Sequence, residues 1–524
     1  MVFSKRFTLQ MLVIAIVLCA TPALALDTFM VGPRAMGMGG ANVASVDNNT
    51  AQYYNPAAFG FFGKMDANGK KFASDNNNLG RKDWGLAING AGGYRLTNEF
   101  GTYLDELAAI DYQALSDNGV QTASDLADLI NLVSSISGLD DEGNAVTTSV
   151  NGGLNLRIGS FGIGVHSFVQ AAGQVLKVDT VNLGFDSAAV GNVATLNSDI
   201  VTAEAGDGQQ LVITSGSTME AQLLSAGYNS AAIQSLDYVA RQEEIDPATL
   251  AEAVNLLSNI ANIANGNPVT DPETGLPVTD PDLANNKTTV QLNGFGHIEV
   301  PITYGFNFGE NFAAGVNFKL MRGRVYGKQV LVFDEDSGGV MDDAEDDFKE
   351  TTTFGVDLGL MARFQMLNVG LVGRNLNKPE FDGFTKETVL SNGQKVEATY
   401  RDVTLDPQVT AGIAFMPFET LTLEVDYDLT KNDTVLTRPG YTYQTQNLSV
   451  GLEWDAFRFL ALRVGAYQNL AESDAEMNFT GGLGLNLWAV RLDIGGVYST
   501  EEVEYDGDKA PKELQVAGML SIDF

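Results

Sequence analysis

From Val403 to the end of the chain, apolar side chains recur at every second position. Leu421, Leu423, Val425, Tyr427 and Leu429 alternate with Thr422, Glu424, Asp426 and Asp428. Leu448, Val450, Leu452 and Trp454 alternate with Ser449, Gly451, Glu453 and Asp455, and Leu514, Val516, Leu520, Ile522 and Phe524 repeat the pattern at the end. A period of two is the strand period and sorts side chains onto two faces. A soluble sandwich alternates as well. Here the segments run to about ten residues and are joined by short turns, which is the pattern of a membrane-spanning barrel.

Followed back along the chain, the alternation predicts strands near Trp84–Tyr94, Val146–Ile158, Phe161–Ala172, Thr288–Phe308, Asn311–Lys328, Thr352–Phe364 and Leu367–Asn375. The rest lie near Val403–Phe415, Leu421–Thr430, Tyr441–Trp454, Phe459–Gln468, Met477–Leu487, Val490–Thr500 and Glu513–Phe524. The count is about 14, even, as in single-chain bacterial barrels. Connections after odd strands are mostly long (95–145, 173–287, 329–351, 376–402). Those after even strands are tight, as at Gly159-Ser160, Gly309-Glu310 and Gln365-Met366. Short periplasmic turns opposite long outer loops are expected of outer-membrane barrels.

Composition narrows the class. A net charge of -35, from 31 Lys+Arg against 66 Asp+Glu, argues against nucleic acid as a partner. Residues 1–25 read as a secretory signal peptide: a basic start at Lys5 and Arg6, an apolar run from Met11 to Ala20, and Ala23 and Ala25 in A-x-A spacing. The single cysteine, Cys19, falls inside it. The exported chain then has no disulfide, thiol nucleophile or Cys-based zinc site. No later run of about 18 apolar residues predicts a membrane helix. Export plus alternating strands points to the bacterial outer membrane, where a closed barrel satisfies its own backbone.

Residues 26–62 do not alternate. They are rich in Gly and Asn and read as a compact plug of turns. The run Gly37-Met38-Gly39-Gly40 misses phosphate-loop spacing at Asn42, and no βαβ unit follows. Three motifs stand out: R-A-M-G-M-G-G-A (Arg34 to Ala41), D-N-N-T-A (Asp47 to Ala51) and Y-N-P-A-A (Tyr54 to Ala58). In these, the chain resembles the FadL-like outer-membrane transport proteins, and within them the exported barrels labelled TraF-like conjugal transfer proteins. The resemblance implies an all-β antiparallel barrel of 14 strands spanning residues 84–524. It also implies an N-terminal hatch carrying Arg34, Gly37, Gly39, Gly40, Asp47, Asn55 and Pro56. A terminal aromatic such as Phe524 resembles the signal read by the barrel-assembly machinery.

Insertions 95–145 and 173–287 predict extracellular helices. Asp246-Pro247 opens a helix with Leu250, Val254 and Leu257 at helical spacing, and Ser217 to Glu220 forms a possible capping box. These helices read as packing on one another over the barrel, or as an apolar platform. Asp334, Asp336, Asp342 and Glu345 approximate a calcium-loop spacing, but flanking helices are missing, and a solvated acidic loop competes with that reading. Such loops are candidates for sharing divalent cations with lipopolysaccharide.

Alternation sends Arg157, His166, Lys319, Asp357, Arg363, Arg374, Glu424, Asp426, Glu453, Arg463, Arg491 and Asp493 into the lumen. There they pair with each other and the hatch, or line a polar conduit with a carboxylate-binding Arg. His166 and His297, the only histidines, leave a two-His metal site open beside a lumen hydrogen bond to Glu299. No catalytic constellation or cofactor motif is evident, so a non-enzyme is expected. Two functions compete: passage of hydrophobic small molecules, and a structural or assembly role in conjugal transfer or secretion.

Overall fold

A strand with one apolar and one polar face is satisfied by lipid on one side and a polar lumen on the other, and closure leaves no unpaired edge. In the computed structural model, fourteen strands form one closed antiparallel barrel among the described residues. The structure describes residues 29–63, 83–111, 123–182 apart from 180, 211–270 apart from 243, 244, 246, 266 and 268, 277–278, 286–331, 348–389, 395–438, 441–456, 459–472, 475, 477–487, 489–505 and 508–524. The predicted signal peptide and the acidic candidates Asp334, Asp336, Asp342 and Glu345 lie outside them.

The barrel strands are β1 (Trp84–Thr97), β2 (Ala145–Ile158), β3 (Phe161–Lys177), β4 (Thr289–Phe308), β5 (Phe312–Leu331), β6 (Phe348–Arg363) and β7 (Leu367–Arg374). They continue as β8 (Gln408–Phe418), β9 (Leu421–Asp428), β10 (Asn447–Ala456), β11 (Leu460–Asn469), β12 (Asn478–Leu487), β13 (Val490–Ser499) and β14 (Glu513–Asp523). Neighbours in sequence are neighbours in the wall. Closure comes from β1 on β14, in register from Gly85 opposite Asp523 to Arg95 opposite Glu513.

Two predicted strands need correcting. The eighth begins at Gln408 rather than Val403, because Pro407 lacks an amide donor and restricts Asp406. Val403–Thr404 pairs instead with Glu380–Phe381. The tenth begins at Asn447, and Tyr441–Thr445 forms a separate hairpin with Asn432–Arg438 above the wall.

The apolar face points outward. Ile88, Leu154, Val464, Ile494 and Val516 stand about half exposed, while Asn89, Asn155, Arg463, Asp493 and Ser521 are buried inside. Aromatic rings crowd the short-turn rim, with Phe308 stacked on Phe312, and Trp84 stacked on Phe524 at 5.0 Å. Such a girdle sits where headgroups meet hydrocarbon. Val464 lies midway along β11 and is 58% exposed. A Val464→Arg barrel should lose about 2–4 kcal/mol in urea unfolding from lipid vesicles, because the charge replaces a lipid contact at mid-depth.

Both ends of the lumen are filled. Residues 29–63 pack inside the short-turn half, with short helices at Pro33–Gly37 and Ala51–Tyr54 and a 3-10 turn at Pro56–Gly60. At the other end, the β7–β8 connection folds inward, and Phe381 and Tyr400 bury against Phe295, Met321 and Val325. Helices at Phe100–Ala109, Ala123–Leu139, Thr218–Ala226, Ser230–Gln242 and Pro247–Ala264 share a separate apolar core, which reaches the wall at Val146, Val175 and Val290. The predicted capping box is half realised. Ser217 Oγ accepts the Glu220 N–H at 3.2 Å, but the Glu220 carboxylate takes the N–H of Gly216 rather than that of Ser217.

Candidate functional site

The site is the lumen, and its geometry follows from what holds residues 29–63 there. Arg34 is buried at the start of the first short helix. Its Nη2 and Nε donate to Glu453 of β10 at 2.8 and 3.1 Å, with further bonds to Ser45 and Asn42 and Asp47 at 3.8 Å. Burial works against the Arg34 charge, yet Glu453 and Asp47 outweigh it and hold the guanidinium above its ordinary pKa. Glu453 is shared. Arg463 Nε donates to it at 2.6 Å and Arg491 lies 3.7 Å away. Both arginines also pair with Asp493, at 2.8 and 2.9 Å. Three cations and three carboxylates therefore interlock across the plug, β10, β11 and β13.

A second set of wall carboxylates binds plug backbone. Asp426 accepts the N–H groups of Asn42 and Val43 at 2.7 and 2.9 Å, and Glu424 accepts those of Ala44 and Ser45 at 2.6 and 3.2 Å. A turn cannot satisfy these amides itself, and a carboxyl oxygen of the wall accepts each of them. Opposite, Arg363 Nη2 donates to the Val46 carbonyl at 2.9 Å, and Asn55 Nδ2 bridges the carbonyls of Val43 and Leu360. Asn55 Oδ1 caps the turn opened by Pro56 by accepting the Ala57 N–H. Arg157 pairs with Asp523 at 2.8 Å and covers the Phe62 ring.

The plug also touches the wall backbone to backbone. Gly39 has φ +68°, and a Cβ there would lie 2.5 Å from the Ala466 carbonyl oxygen. Around the barrel, Gly305, Gly315, Gly359, Gly370, Gly451, Gly465 and Gly495 each lie where a Cβ would strike plug atoms within 3 Å. Gly37 faces Gly482 in the same way, while Gly40 (φ +92°) lies beside Ser449. Nothing in the alternation marks these wall glycines, since a strand glycine reads only as a weak point until its partner is known.

Above the plug lies a mixed chamber. Glu299 of β4 gathers His166 at 3.3 Å, His297 at 3.6 Å and Lys319 at 3.6 Å, and Lys319 also pairs with Asp357 at 2.9 Å. The two histidines and the Lys319 ammonium thus converge on one carboxylate. Aromatic faces run beside this cluster. Tyr53 packs on Phe168, Phe168 stacks on His297 at 5.2 Å, and Phe29 meets Phe168 at 5.1 Å. Arg374 lies over the Tyr53 ring at 4.5 Å. Two small cavities adjoin here and share Phe29 and Arg374.

Next to the second cavity two rungs of the wall's ladder are missing. β3 and β4 pair from Phe161 to Ile163 and again from His166, but no pair forms where Gly164 and Val165 face Pro301 and Val300. Pro301 has no amide to give, and its carbonyl instead accepts from Gln52 Nε2 of the plug at 3.3 Å.

Residues 52–428 match the family described as F plasmid transfer operon, TraF, protein. The chain belongs to that family. No curated protein matches it. Among solved structures it is similar to the P. putida toluene transporter TodX, at 10% identity over 94% of this chain and 97% of that chain, with a TM-score of 0.44. It is also similar to the Ralstonia pickettii toluene transporter TbuX, at 11% identity over 94% and 98%, with a TM-score of 0.43. A Pseudomonas aeruginosa FadL homologue gives 10% identity over 96% and 99%, with a TM-score of 0.42.

Proposed function

We propose that this outer-membrane barrel admits small apolar molecules sideways through its wall into the chamber above the plug. The observation that carries this reading is the unpaired stretch between β3 and β4. It adjoins a cavity lined by Gln52, Phe168, His297 and Glu299, and the plug's Gln52 donates to the Pro301 carbonyl behind it. Missing rungs lower the cost of parting two strands locally, and an apolar solute reaches that gap from lipid without crossing water. Phe29, Phe168, Phe295 and Phe381 then extend an apolar surface from the plug to the inward-folded loop.

Val165 and Val300 sit on the lipid face on either side of the gap, and the sequence from residue 26 onward contains no cysteine. A Val165→Cys, Val300→Cys pair, oxidised in vesicles, should reduce uptake of a neutral aromatic such as toluene about tenfold or more, and reduction should restore it. Uptake unchanged by the cross-link would remove the lateral route.

The family description supports a second reading, in which the outer helices are a partner surface in a transfer apparatus. Capture of pilus or secretion components by the intact barrel, lost when residues 218–264 are replaced by a short linker, would favour it. Toluene uptake unchanged by loss of the protein would leave that reading standing alone.

A further inference from the structure

We propose that Arg374 is the head-group anchor of a small carboxylate ligand with a flat apolar body, such as an aromatic acid. The inference deepens the conduit reading above and rests on it. The other lumen cations are accounted for: Arg34, Arg463 and Arg491 by Glu453 and Asp493, Arg157 by Asp523, Lys319 by Asp357 and Glu299, and Arg363 by the Val46 carbonyl. Arg374 is 6% exposed, yet among the described residues its guanidinium makes no hydrogen bond and no ion pair, and its Nε is orphaned.

Its one close partner is the Tyr53 ring. Asp357 and Asp428 support its charge through space without a hydrogen bond to it. Asp357 is committed to Lys319, and Asp428 accepts from Thr410 and the Asn447 amide. Buried N–H groups without an acceptor are costly, and a bound acceptor would complete them.

The chamber indicates the shape of that partner. Arg374 lines both cavities, and the second also holds the faces of Phe29, Tyr53 and Phe168. His297, 4% exposed with an unpartnered Nδ1, lines the same cavity and offers a second polar contact. A guanidinium fork matches a carboxylate in a bidentate manner, and stacked rings favour a planar body over a long flexible chain.

The test is calorimetric titration of the full-length exported protein in detergent with sodium benzoate and with benzyl alcohol, its neutral counterpart. Benzoate should bind wild type more tightly than benzyl alcohol does. Arg374→Gln should weaken benzoate about tenfold or more while leaving benzyl alcohol within about twofold. Arg322→Gln, at an exposed pair with Glu350, should change neither. Arg374→Gln should also melt close to wild type, because the guanidinium makes no hydrogen bond or ion pair for the substitution to break. A variant that fails to fold or melts well below wild type would make the guanidinium structural and overturn the proposal. So would benzoate binding as tightly to Arg374→Gln as to wild type. Binding of benzyl alcohol but not benzoate would sink the acid site and leave the conduit reading intact, and binding of neither would sink both.

Discussion

Replacing Glu453 with Ala should destabilise the barrel by about 3–5 kcal/mol and loosen residues 29–63 within it. The carboxylate is 7% exposed and serves Arg34, Arg463 and Arg491 together. Its loss leaves those three cations with Asp493 and with Asp47, 3.8 Å from Arg34. Removing one partner from a buried ionic network costs far more than the intact network contributes, because the remaining charges stay desolvated. Urea unfolding in vesicles would measure the loss, and protease cleavage within residues 29–63 should accelerate in parallel. Arg34→Met should cost less, since Glu453 keeps Arg463 and Arg491. Equal losses for the two variants would show that Glu453 is not the shared centre.

Gly39→Val should produce an effect of similar size through the backbone alone. The residue sits at φ +68°, where a β-branched side chain is strained, and its first carbon would press on the Ala466 peptide of β11. Strain of about 1–3 kcal/mol adds to overpacking of about 1–3 kcal/mol, giving roughly 2–6 kcal/mol. The wall cannot retreat, because Ala466 is paired with Val450 on one side and Phe479 on the other. The strain therefore falls on the plug, and tryptic release of its residues should report it. Gly518→Ala, where a Cβ would meet nothing within 4 Å, is the control and should be close to neutral.

These two substitutions mark where sequence reasoning stops. The wall was legible because a bilayer imposes one rule at every position of a strand: Leu421, Val450 and Val464 must face lipid whatever their neighbours are. The charged interior was legible as a set, since alternation sends Glu424, Glu453, Arg463 and Asp493 inward together. Its pairing was not. Arg34 and Glu453 are 419 residues apart, and only closure of the barrel brings them together. For the same reason nothing local separates Arg374, which makes no hydrogen bond, from Arg363, which holds a carbonyl. The wall glycines carry no periodic signal, because their role is set by the plug backbone opposite. The strand starts at Gln408 and Asn447 were misplaced where an alternating run belonged to an outer loop, and Pro407 was the sequence mark for the first of them.

Spin labels at single cysteines along β11 and β13 test most directly whether the chain is a lipid-facing cylinder with a filled, polar inside. In vesicles, labels at Val464 and Ile494 should be relaxed by oxygen dissolved in lipid and shielded from a water-soluble nickel chelate. Labels at Arg463 and Asp493, one residue away, should be shielded from both. Val464 and Ile494 responding to the chelate rather than to oxygen would contradict a wall that faces lipid.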